Sequence, residues 1–375
     1  MRRAHGTGRQ AAAKGLRAIR GRGRIVTRLV ALAGAAALAG CAQVGYLAQS
    51  VGGHLSLVAA ARPVPAWLAD PATPAAVRER LARSQQMRDF AIAELKLPDN
   101  ASYRRYADLG RTAAVWNVVA AGELSLALQT WCYPVVGCVS YRGFFDQAAA
   151  EQAAAPLRTQ GMEVMVYGVP AYSTLGKLPG DYFADPLLNT FLNYADGDLA
   201  RLIFHELAHQ VAYAADDTVF NESFATAVER IGGARWMARH ATEVQRIELA
   251  RSDARRADFR ALTQRTRDRL DTLFRSDASE ADKRAGKARL MAQMRAEHQA
   301  LKAGPWAGFS GYDGWFERAN NASLALVAAY NAQVPQFERL FERAGGDFER
   351  FYAEVRRLAA LPKAQRQAEL AALAP

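Results

Sequence analysis

The chain has 375 residues, of which 50% are hydrophobic and 23% charged. That length and composition allow one large domain or two ordinary ones and exclude a disordered polymer. The formal net charge of +11 looks like a nucleic-acid signal, but nine basic residues (Arg2, Arg3, Arg9, Lys14, Arg17, Arg20, Arg22, Arg24 and Arg28) and no acidic ones lie within residues 1–40. The remainder holds 39 basic against 37 acidic residues. A nearly neutral body gives no electrostatic reason to expect a nucleic-acid partner.

Residues 1–40 read as an export signal. A basic segment ends at Arg28, and the apolar run "LVALAGAAALAG" follows. The run is too short and too rich in alanine for a spanning helix. It ends in "LAGC", Leu38 to Cys41, which resembles the lipobox of bacterial lipoproteins. That resemblance implies cleavage before Cys41 and lipid on its thiol. Residue 42 is Ala rather than Asp. By resemblance to enteric lipoproteins, this favours a periplasm-facing anchor in the outer membrane over the inner. Residues 41–375 are then the mature domain.

Helical spacing runs from Pro74 to Leu95, and "LPDNASY" breaks it. "AAVWNVVAA" reads as a strand, and "LSLALQTWCYPVVGCVSY" as one or two more. Cys132 and Cys138 flank a turn that contains Pro134 and Gly137. In an oxidising periplasm a local disulfide is preferred to two buried thiols. "DQAAAEQAAAPLRTQG" is a helix ending at Gly161, and "MEVMVYGVPAYSTLG" returns to strand character. Residues 113–176 therefore form a small sheet with an inserted helix.

After Asp185 helices dominate. They are expected over 197–215 and 221–241, then as a charged hairpin or arm over about 235–302, and again over 320–332 and 335–359. The arm's charges read as solvated faces.

"LARLIFHELAHQVAYAADDTVFNESFATAVE" carries the chemistry. His205 and His209 are four apart on a helical segment, so both imidazoles lie on one face and can share a tetrahedral metal ion. Glu206 is one step around the helix, where it serves as general base rather than ligand. This is the logic of H-E-x-x-H. A third ligand is required. Position 215 is Ala rather than His, which leaves Asp216, Asp217 and Glu222. Glu222 is preferred, in the first turn of a second helix capped by Asn221.

The sequence resembles the bacterial predicted aminopeptidases, zinc metallopeptidases of the gluzincin kind. The likeness covers "GCAQVGYLAQSVGGHLSLVAAARP", "TWCYPVVGCVSYRGFF", "VPAYSTLG", "IFHELAHQ", "FNESFATAVE" and "NNASLALVAAYNAQVPQFERLF". The resemblance implies one zinc on His205, His209 and Glu222, with Glu206 as base.

The expected fold is α+β and helix-rich: a zincin-like core with a small sheet packed on the H-E-x-x-H helix. The expected activity is zinc-dependent peptide hydrolysis, as an aminopeptidase. The alternatives are an endopeptidase or murein-peptide hydrolase, or a non-catalytic metal-binding factor of envelope assembly. "PAYSTLG", with Tyr172, is the candidate edge strand for substrate. Tyr330 and Asn321, then Tyr312 and Arg142, are candidate oxyanion donors, and Glu163 is a candidate anchor for a substrate amine.

Overall fold

The computed structural model describes residues 45–133, 137–173, 180–215 and 217–373. The proposed signal segment, Cys41 and Asp216 lie outside the described residues. The chain divides into two units, 1–55 and 56–375. In the first, residues 45–55 are helical. All that follows concerns the second. Among the described residues no helix is long and apolar enough to cross a membrane.

The second unit is helix-rich with three small sheets, in keeping with an α+β class. One sheet joins β1 (Arg62–Pro63), β2 (Arg105–Ala107) and β8 (Leu187–Leu188), with β2 and β8 parallel. The main sheet is antiparallel, in the order β6 (Arg142–Phe144), β3 (Val115–Gly122), β7 (Met162–Val169). A separate ribbon pairs β4 (Trp131–Tyr133) with β5 (Gly137–Val139). Cys132 and Cys138 face each other across it, Cα atoms 3.9 Å apart, and are joined by a disulfide.

Among the helices, α1 (Val64–Ala69), α2 (Ala75–Ala93) and α3 (Gln147–Thr159) come first. Then come α4 (Asn189–Leu192), α5 (Asp196–Ala208) and α6 (Thr218–His240), and α5 and α6 make the most extensive helix–helix packing among the described residues. The arm is a true hairpin of α7 (Glu243–Arg275) and α8 (Glu280–Ala303). After it come α9 (Asp313–Arg318), α10 (Asn321–Asn331), α11 (Val334–Arg343), α12 (Phe348–Ala360) and α13 (Lys363–Ala371).

Packing follows side-chain periodicity. On α5, Leu199, Ala200, Ile203, Phe204, Leu207 and Ala208 are buried in two adjacent rows. Asp198, Arg201, Leu202, His205 and Glu206 occupy the opposite stripe and face a cleft. Helix α6 is enclosed on most sides, with Phe220, Phe224, Val228 and Trp236 fully buried. Gly232 permits its close approach to α5: an added Cβ would lie 3.0 Å from Phe204 and 2.6 Å from Leu95. The arm is more than a solvated spacer, because Leu262, Leu270, Met291 and Met294 close a second core with Trp306 and Phe316.

Three expectations change. The main sheet packs on α3 and α10, while α5 packs on α6 and α2, so the sheet is not laid on the H-E-x-x-H helix. Strand β7 stops at Val169, because Pro170 has no N–H to extend the ladder. Tyr172 lies outside any strand, its ring 5.0 Å from that of Phe145, and residues 174–176 of "PAYSTLG" lie outside the described residues. The single helix expected over 335–359 is two, broken at Gly345 and Gly346, both at positive φ.

Candidate metal centre

Helix α5 ends at Ala208, well short of the expected residue 215. Tight backbone bonds from Gln210 to Leu207 and from Val211 to Ala208 stop it. The chain then turns back, and the Asn221 side chain holds that turn. It accepts from the Ala214 N–H and donates to the Ala214 carbonyl, both at 2.8 Å. Asn221 is therefore a buried brace rather than a cap. The cap is Asp217, which accepts from the Phe220 N–H at 3.2 Å and pairs with Arg366 at 3.0 Å. Both commitments remove Asp217 from the ligand candidates. Glu222 accordingly sits in the second turn of α6, not the first.

This crossing brings His205, His209 and Glu222 together. The two Nε2 atoms are 3.2 Å apart. Glu222 Oε2 lies 3.3 Å from Nε2 of His205 and 3.7 Å from Nε2 of His209. A tetrahedral ion with bonds of ~2.0–2.1 Å has ligand-to-ligand edges of about 3.3–3.4 Å, so these three atoms match one face of such a tetrahedron. Among the described residues they form the one group of His, Cys, Asp and Glu whose ligand atoms all lie within 4.8 Å of one another.

The electrostatics also suit a cation. Burial works to lower the His205 pKa, but hydrogen bonds to Glu222 and Glu229 outweigh it and hold the imidazole well above its usual value. Glu222 is the converse. Burial raises it, yet the charges and hydrogen bonds of His209 and His205 bring it down to about 2. Protonated imidazole supplies here the positive charge that the carboxylates require. Glu206 is pushed up, first by burial and then by Glu222 and Glu229, against the pull of His205 and His209.

Glu229 was not anticipated as a site residue. Its Oε2 lies 2.8 Å from Nδ1 of His205. A carboxylate on the far nitrogen of a ligating imidazole fixes its tautomer and orientation. The signal was present in the sequence: Glu229 follows Glu222 by seven residues, two helical turns on the same face. Tyr141 and Tyr167 also escaped notice. Burial is the main cause that raises both phenols, Tyr167 to about 12, and the charge of Glu222 adds to each. Glu206 adds further to Tyr141. Nothing local in the sequence marks either tyrosine.

The other candidates lie elsewhere or are committed. Glu163 is paired with Lys287 and accepts from the Asn321 backbone N–H at 2.7 Å, so it cannot anchor a substrate amine. Asn321 donates its amide to the carbonyls of Gly122 and Glu123, which ties α10 to the sheet. Tyr312 stacks on Phe259 in the second core, and Arg142 lies over the Phe144 ring. The Tyr330 side chain lies outside the described residues.

His205, Glu206 and Glu229 line one end of a cleft of about 840 Å³ between α5, α6 and α7. No curated protein and no solved structure matches the chain. A family model described as "Putative aminopeptidase" does match, over residues 45–370, a span that takes in the helix pair and the sheet together, and the chain belongs to that family.

Proposed function

We propose that this protein is a zinc-dependent peptidase, acting as an aminopeptidase and held at the bacterial envelope through lipid on Cys41. The observation that carries the reading is the meeting of His205 Nε2, His209 Nε2 and Glu222 Oε2 at tetrahedral-edge distances, on a chain of an aminopeptidase family. Zinc held by these residues supplies Lewis acidity toward the scissile carbonyl.

The chain's own groups do the rest. Glu206 accepts a proton from the attacking water and delivers it to the leaving amine. A carboxyl raised by burial retains that proton long enough to pass it on. Glu229 holds the His205 ring in place through Nδ1. Tyr141 stays protonated beside the carboxylates and is the donor assigned to the developing oxyanion.

The roles separate experimentally. His205→Ala, His209→Ala and Glu222→Ala should each lose most bound zinc and all hydrolysis of a peptide library read by mass spectrometry. Glu206→Gln should keep zinc and lose nearly all turnover. Tyr141→Phe should keep zinc and lower kcat. Loss of zinc from Glu206→Gln, or full activity in all five variants, would refute the assignment.

A further inference from the structure

The cleft has a charged wall. Arg201 makes two hydrogen bonds to Asp253, at 2.6 and 2.8 Å. Arg256 pairs with Asp198 at 2.5 Å and with Asp253 at 3.1 Å. These four residues neutralise one another, and Glu229 is committed to His205.

The two remaining arginines are not matched in this way. Arg230 donates to the Asn331 side chain at 3.1 Å and has Glu338 at 3.5 Å. Arg260 makes no hydrogen bond or ion pair with any described side chain, although it lines the same cleft as His205 and Glu206. Arg230, Arg260 and Asn331 also border a second, more apolar cleft of about 770 Å³. Arg260 thus borders both spaces.

We propose that Arg260, with Arg230 beside it, is a carboxylate-binding subsite of the cleft, and that the protein selects peptides able to place a free carboxylate there. The inference rests on the peptidase reading and names its substrate class: short peptide acids. A guanidinium fork is the side chain best matched to a carboxylate. Burial first, and then the like charge of Arg230, lower the Arg260 pKa, and the nearby Asp253 offsets them only in part. Of the other carboxylates that line the cleft, Asp198, Asp253 and Glu229 are held by Arg256, Arg201 and His205, and Glu206 is the proposed base; none pairs with Arg260, which leaves its guanidinium to an anion from outside. It can be the α-carboxylate at the peptide's C-terminus or the side chain of an acidic residue.

Binding can be measured without turnover, so a failure of hydrolysis does not confuse the outcome. The full zinc-loaded chain carrying Glu206→Gln is titrated calorimetrically with trialanine, with trialanine amide, and with an amidated tripeptide that contains one glutamate. The free acid should bind roughly tenfold or more tightly than the amide. Recovery of affinity by the glutamate peptide assigns the subsite to acidic side chains as well, and no recovery restricts it to the C-terminus. Adding Arg260→Gln should collapse the acid-to-amide ratio to about one, and Arg260→Lys should restore part of it. Should Arg260→Gln fail to fold, the Lys variant carries the test through an intermediate ratio. Equal binding of acid and amide to the parent protein overturns the proposal. So does a preference that survives in either Arg260 variant at its original size, because the carboxylate is then held elsewhere, such as on the metal.

Discussion

In the proposed zinc site, Glu229 sets how well His205 serves as a ligand. Its carboxylate 2.8 Å from Nδ1 orients the ring so that Nε2 points at His209 and Glu222. Such outer partners typically change metal affinity by about 10–100-fold. Glu229→Gln keeps the shape and removes the charge, and it should weaken zinc binding by roughly that factor in a chelator competition. Unaltered affinity would show that ring orientation comes from packing alone. Glu229 was legible as part of a helical stripe, but its role was not, because sequence spacing does not say which nitrogen of His205 faces it.

The proposed ligands are only as well placed as the helix beneath them. Helix α5 has no side-chain cap, and Asp196 and Asp198 occupy its first turn, where negative charge complements the helix dipole. Asp196 also receives Arg80 at 2.5 Å and Arg83 at 2.9 Å, both from α2. Burial raises the Asp196 carboxyl, but the hydrogen bonds from Arg80 and Arg83 outweigh it, so its folded pKa falls below the ordinary 3.8. A carboxyl lowered by folding contributes stability above its unfolded pKa and loses it as pH falls through the folded value. Asp196→Asn should therefore cost roughly 1–3 kcal/mol at pH 7 in urea denaturation. The gap from wild type should shrink as pH drops below 3.8. An equal gap at both ends of the series would mean that the ion pairs contribute nothing. The charges of Asp196, Arg80 and Arg83 were visible in the sequence, whereas their meeting across more than a hundred residues was not.

At the scale of the whole molecule, the C-terminal helices hold the site from behind. Arg366 on α13 meets Asp217 at 3.0 Å, with both side chains almost wholly buried. The same Asp217 caps α6, whose second turn carries Glu222. Tyr352 on α12 donates to the Leu95 carbonyl at 2.9 Å, which joins α12 to the end of α2. The other question at this scale is where the protein resides. The proposed anchor rests on "LAGC" at the end of the apolar run. Cys41→Ala should leave the membrane fraction or remain unprocessed, and normal maturation and fractionation of that variant would remove the anchor from the proposal.

By itself the sequence determined what local periodicity can carry. His205 and Glu206 lie on α5 with His209 at its C-cap because apolar residues recur around them at helical spacing, and Glu222 had to lie on the next helix. The strand of residues 115–122 followed from its β-branched and aromatic content, and the helix of residues 147–159 from its composition and the Gly161 that ends it. Tertiary structure alone decided where α5 stops, because the brace is an asparagine from another helix. It also decided that Asp217 caps rather than ligates, that Glu163 and Asn321 tie the sheet to the helices, and that Arg260 lines the cleft without an ion pair to any described side chain. Several of these depend on a partner far along the chain, as Arg366 is for Asp217 and Gly122 for Asn321, and no local pattern of residues specifies such a partner.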